Sequence, residues 1–244
     1  MNKVSILFVL IFLSAAIKAQ ENKGFVVVEL FTSEGCSSCP PADKLLSDIS
    51  NEAKKNGDNI YCLAFHVDYW NRLGWKDPFG KFQFTRRQEN YSRVLPSKEL
   101  FTPQMVVNGS VEFTGSDKKK ADAAIQSTKS KKPAIQFDLK LDSLVADTAY
   151  ISWTLSKTDA NYVLQLAYSE SGLSSKVSKG ENAGKVLVHD HVVKVFSAVN
   201  KPGSKGQTKL ILKDRVSKNE SELTGFIQHK QNYKISAADR VKVQ

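Results

Sequence analysis

The chain has 244 residues and carries 35 Lys and Arg against 25 Asp and Glu, a formal net charge of +10 at pH 7. That length allows one large domain or two modest ones. The lysines are spread along the chain without the aromatic-interleaved basic stripe that single-stranded nucleic acid needs, so the charge reads as a solvated surface and no nucleic-acid partner is expected.

Residues 1–19 have the pattern of a secretory signal peptide: Lys3 at the start, an apolar core from Ser5 to Ala16, and Ile17-Lys18-Ala19 before the cleavage point. The core is shorter than the roughly 20 residues a spanning helix requires. An exported chain is expected, periplasmic or secreted, with no stable membrane anchor after cleavage.

Phe25 to Phe31 is β-branched and apolar, which predicts a buried strand. Cys36-Ser37-Ser38-Cys39 follows. From Pro40, the spacing of Leu45, Leu46 and Ile49 predicts a helix over about 40–55, and Pro40 and Pro41 suit only its first turn. A second strand is expected over 60–67, with Cys62 as a buried, inert thiol. The stretch 69–97 holds Trp70, Trp75, Phe79, Phe82, Phe84 and Tyr91 and reads as a helical insertion, with Asp77-Pro78 starting one helix and the aromatics forming a packing face. Gln104–Val107 and Val111–Phe113 flank Asn108-Gly109, a hairpin signal because both turn residues tolerate positive φ. A last helix over 117–128 takes Asp117 as its cap.

The segment 129–133 looks like a linker. Beyond it, runs at 135–141, 149–155, 162–168, 185–196, 208–212 and 224–229 are separated by Asp, Gly, Ser and Asn turns. That texture predicts an antiparallel, sandwich-like β-rich domain over 134–244.

A C-x-x-C at a strand-to-helix junction places a sulfur near the helix N-terminus, where free N–H groups and the helix dipole favour a thiolate. Cys36, nearer the surface, is expected to be the nucleophile, and Cys39 to resolve the mixed disulfide. Glu34 opposes thiolate formation by like-charge repulsion. His66 and Asp68 fall at a strand end, where they either help line the thiol site or form a packed pair. His189-Asp190-His191 reads as ordinary sheet histidines. Two alternatives stand beside exchange chemistry. One is a non-catalytic binding or structural module in which the Cys36–Cys39 bond is a brace. The other is a soft-metal (copper) site using Cys36, Cys39 and His66 or Met105. No G-x-S-x-G, H-E-x-x-H or phosphate-loop motif is present.

The order strand, C-x-x-C, helix, strand, Thr102-Pro103, hairpin, helix resembles the thioredoxin fold. The resemblance implies an α/β thioredoxin-like domain over 23–130 with the insertion at 69–97. It implies that Pro103 is a cis proline beside the disulfide and that Thr102 faces the substrate chain. It also implies that Glu29 stands near the place of a buried carboxylate that relays the resolving proton, though one residue further from Cys36 than usual; an ordinary glutamate is the alternative. The segments 28–43, 65–70, 73–79 and 102–109, including C-S-S-C-P-P-A-D and T-P-Q-M-V-V-N-G, resemble a family of exported bacterial thioredoxin-like proteins of unestablished function. Together these imply thiol–disulfide exchange with protein thiols or disulfides outside the cytoplasm, with no bound organic cofactor and no resident metal. Direction of the redox chemistry and oligomeric state stay open.

Overall fold

The computed structural model describes residues 24–213, 215 and 219–243. The signal segment expected at 1–19 lies outside the described residues. Among them, no helix is long and apolar enough to cross a membrane.

The first half runs β1 (Val26–Thr32), α1 (Pro40–Asn56), β2 (Ile60–His66), a 3-10 turn (Tyr69–Leu73), α2 (Phe82–Val94), β3 (Gln104–Val107), β4 (Val111–Thr114) and α3 (Lys118–Lys129). The second half is all strand: β5 (Phe137–Val145), β6 (Thr148–Leu155), β7 (Tyr162–Glu170), β8 (Leu173–Lys176), β9 (Val186–His189), β10 (Val192–Asn200), β11 (Lys205–Ile211), β12 (Ser221–His229) and β13 (Ile235–Lys242). The architecture is mixed α/β, dominated by one eight-stranded sheet in the order β13-β12-β7-β10-β2-β1-β3-β4. β1 pairs parallel with β2 and antiparallel with β3. The two halves meet where β10 lies beside β2: Val192 is in parallel register with Ala64, and the Ala64 N–H donates to the His191 carbonyl at 2.8 Å. Strands from both sides of 130–134 therefore share one sheet.

Alternation along β1 sends successive side chains to opposite faces. Val26, Val28 and Leu30 pack with Leu45, Leu46 and Ile49 of α1 and Ala121, Ala124 and Ile125 of α3. Val27 and Phe31 turn the other way, toward Phe84 and Tyr91 of α2 and Phe226 of β12. A three-stranded sheet, β11-β6-β5, covers the far end, burying Ile151 and Trp153 against Leu164, Tyr168 and Leu223.

Local chemistry accounts for most boundaries. Pro40 and Pro41 open α1, and Gly57, at φ +66°, closes it. Asp117 accepts from the Lys120 N–H at 3.0 Å and caps α3. Asp77-Pro78 does not start a helix; α2 begins at Phe82. The Asp77 carboxylate instead accepts from the Phe79 N–H at 2.8 Å and tightens a turn. The single run expected over 185–196 is broken into β9 and β10 by His191, whose φ is +57°. β8 and β13 were not anticipated: β8 is only four residues long, and Ala237 to Lys242 of β13 mixes small and charged side chains.

Asn108 and Gly109 both have positive φ, +44° and +64°, as a tight hairpin turn requires. A Cβ at Gly109 would also lie 2.0 Å from the Tyr233 carbonyl oxygen. Gly109→Ala is expected to lose more than the ~1–2 kcal/mol of the backbone conformation alone, read as a lower denaturant midpoint at unchanged slope.

Candidate functional site

Cys36 and Cys39 are joined by a disulfide with a Cα–Cα separation of 5.5 Å, inside the usual range. Cys39 is the N-cap residue of α1, and Cys36 sits in the preceding turn, whose Cys39 N–H donates to the Cys36 carbonyl at 3.2 Å. Ser37 and Ser38 are exposed between them, and the Ser38 hydroxyl donates to Cys36 Sγ at 3.4 Å. The helix start offers fewer free donors than a C-x-x-C at such a junction suggests. Pro40 and Pro41 have no N–H, and the N–H groups of Ala42 and Asp43 both go to the Cys39 carbonyl. Support for a thiolate here rests on the helix dipole and Ser38.

Cys36 is not the exposed sulfur the sequence suggests: both cysteines have zero exposure. A segment far away in sequence packs onto this turn. Asn182, itself fully buried, donates from its side-chain amide to the carbonyls of Glu34 and Cys36, each at 2.9 Å. The Glu181 carboxylate accepts from the Ser37 N–H at 2.9 Å.

Glu34 is the hub of this arrangement. It is fully buried, and every polar atom is engaged. Its N–H donates to Asp77 at 2.8 Å, and its carbonyl accepts from Asn182. One carboxylate oxygen accepts from the Trp75 indole at 2.7 Å; the other meets the Ser175 hydroxyl and, at 3.1 Å, Nε2 of His189. A buried carboxylate persists only with partners of this kind.

Beside Glu34 lies a group of titratable side chains. His66 and His189 stack edge to face at 4.8 Å between ring centroids, with Phe79 against both. His66 Nδ1 is 2.8 Å from Asp77, and His189 Nδ1 is 3.7 Å from Asp43 in the first turn of α1. Burial would lower the His66 imidazole, but Asp77, then Asp43 and Glu34, outweigh it and raise His66 above its ordinary value. Burial also opposes charge on Asp77, yet His66 and the N–H groups of Glu34 and Phe79 hold its carboxyl at about 2. For Asp43 burial wins over the two imidazoles and lifts the carboxyl. Among the described residues no group of three or more His, Cys, Asp or Glu is placed to hold a metal ion.

Of the other residues singled out in the sequence, Thr102 and Pro103 are joined by a cis peptide bond; Pro103 is buried, and the Thr102 hydroxyl accepts from the Trp70 indole at 2.8 Å. Glu29 is not placed to serve the thiols. It is buried on the α2 face of β1, opposite Val28 and Leu30, and pairs with Arg87 at 2.6 Å and with the Tyr91 hydroxyl. The extra residue between Glu29 and Cys36 is the reason, because one step along a strand reverses the face. Asp68 does not pair with His66; it accepts from the Thr85 hydroxyl at 2.6 Å. Cys62 is buried, and burial pushes its thiol up to about 12. The sequence reading missed Asp43, Trp75, Asp77, Glu181, Asn182 and the inward turn of His189. Two signals were available: a charged residue beside the apolar face of a helix, at Asp43, and the presence of Asp43, Trp75 and Asp77 in the segments that carry the family resemblance.

Residues 27–228 match the sequence profile of the protein family of unknown function DUF1223. The chain belongs to that family. It is also similar to a thioredoxin of Methanocaldococcus jannaschii, 29% identical over 96 residues, which is 39% of this chain and 86% of that one. Among solved structures it resembles a protein of Agrobacterium tumefaciens at TM-score 0.66 and 26% identity, covering 88% of this chain and 93% of the other. The disulfide and the thioredoxin similarity are compatible with a thiol–disulfide role.

Asp77→Asn gives a test of the buried cluster. The folded carboxyl titrates at about 2, below its ordinary 3.8, so its contribution is present at neutral pH and lost as pH falls through about 2. The variant is expected to unfold ~2 kcal/mol more easily than the parent at pH 7. That gap should narrow below pH 4 in denaturant titrations.

Proposed function

We propose that this protein carries out thiol–disulfide exchange with protein partners outside the cytoplasm, using Cys36 as the sulfur that bonds to the partner and Cys39 as the resolving sulfur. The observation that carries this is the Cys36–Cys39 disulfide in the turn that leads into α1, in a chain similar to a thioredoxin. A partner thiolate attacks Cys36 Sγ, forming a mixed disulfide and expelling Cys39 as a thiolate that takes up a proton. A second partner thiolate then attacks the partner's sulfur and releases Cys36. The partner loses two electrons and the pair gains two; the reverse sequence reduces a partner disulfide. The secretory pattern of residues 1–19 supports action in an oxidising compartment.

A second reading, a bond that only braces the turn, is favoured by the zero exposure of both sulfurs. The two separate in a Cys39→Ser variant offered a cysteine peptide activated as a mixed disulfide with thionitrobenzoate. Exchange predicts capture of the peptide on Cys36, with release of the coloured thiol, in native buffer and none in Cys36→Ser,Cys39→Ser. The brace predicts capture only after denaturation.

A further inference from the structure

The connection between β8 and β9 makes more contacts with the C-x-x-C turn than a passing loop requires. It is internally bonded: Val177 N–H to the Lys185 carbonyl, Gly184 N–H to Val177, Ala183 N–H to Gly180 and Lys185 N–H to Asn182. Gly180 and Gly184, at φ +77° and +84°, let it fold back on itself. Lys185 Nζ donates to Asn182 Oδ1 at 2.9 Å, which fixes the amide so that its NH₂ group faces the turn. The loop is thus a preformed unit, and it reaches the C-x-x-C turn through two side chains: buried Asn182 on the carbonyls of Glu34 and Cys36, and exposed Glu181 on the N–H and hydroxyl of Ser37.

An extended polypeptide lying along the C-x-x-C turn would meet these same groups. An incoming chain pairs through its own N–H and C=O. Here that pairing is already taken by residues of the same molecule. Glu181 has a second effect. Its carboxylate accepts from the N–H of Ser37, the residue after Cys36, and so puts a negative charge beside the thiol. Seated, the loop blocks approach and opposes the thiolate that reduction produces.

We propose that residues 177–185 form an autoinhibitory cover over the Cys36–Cys39 disulfide, held by Asn182 and Glu181 and displaced before any thiol reaches the sulfurs. This deepens the exchange reading, since the cover governs when a partner reaches the sulfurs that reading uses. Its test nevertheless needs no protein substrate, so the two can fail separately.

The oxidised full chain is treated with excess dithiothreitol in native buffer, quenched with an alkylating agent at intervals and weighed. A dithiothreitol thiolate attacks one sulfur and expels the other. Its second thiol then closes the six-membered ring of oxidised dithiothreitol, so the reagent loses two electrons and the protein pair gains two with two protons. The parent disulfide is expected to reduce much more slowly in native buffer than in denaturant. Asn182→Ala is expected to accelerate native reduction by about tenfold or more, the effect of losing the hydrogen bonds it makes to two buried carbonyls. Glu181→Gln, an exposed change that keeps the side chain's size, should accelerate it less, by a few-fold, and bring the Cys36 thiol to a lower pKa in alkylation-rate titrations. A parent disulfide reduced as fast in native buffer as in denaturant overturns the proposal. So does a Glu181→Gln rate and Cys36 pKa equal to the parent's, and that variant decides the matter if Asn182→Ala fails to fold.

Discussion

A buried carboxylate holds this molecule's candidate site together. Glu34 precedes Cys36 by two residues, yet its partners come from the insertion after β2 and from the β-rich second half: Trp75 and Asp77 on one side, Ser175, Asn182 and His189 on the other. An unpaired charge at that depth would cost several kcal/mol. The chain therefore cannot form the C-x-x-C turn as built without bringing the other two segments onto it. The second half is part of the site through this residue rather than an appended module.

The sheet imposes the same dependence at a larger scale. Because β10 lies against β2, the strand carrying His66 at its end is flanked by the strand that follows His189, which is why the two imidazoles meet. On the opposite face, Arg87 binds Glu29 and Gln228 and lies against the rings of Phe65, Tyr91, Phe196 and Phe226, tying α2 to strands from both halves. Some buried pairings stay within the first half, as Glu29 with Arg87 and His66 with Asp77, and others cross to the second, as Glu34 with His189 and Arg87 with Gln228, so the two halves share one polar network.

Local chemistry in the sequence was enough to find β1, β2, the β3–β4 hairpin, α1 and α3, because periodicity, Asn108-Gly109, Pro40-Pro41 and Asp117 act within a few residues. The cysteine pair was equally plain. What sequence could not convey was contact across more than 140 positions, such as Asn182 on Glu34 and Cys36. Cys36, expected near the surface, is buried where that contact is made. Glu29 and Asp68 failed for a different reason. Both are acidic residues close in sequence to the site, but strand alternation turns Glu29 to the other face and Thr85 holds Asp68.

Buried sulfurs and exchange chemistry are reconciled if the pair reacts only when uncovered. The positive end of α1 and the Ser38 hydroxyl both favour a charged Cys36 and so favour the reduced form. The most direct test is the equilibrium reduction potential of the Cys36–Cys39 pair, set against a dithiothreitol or glutathione redox series. A potential above about −300 mV is predicted for an exchange-active pair; one below about −300 mV would mark a bond kept only to brace the turn and would contradict the account.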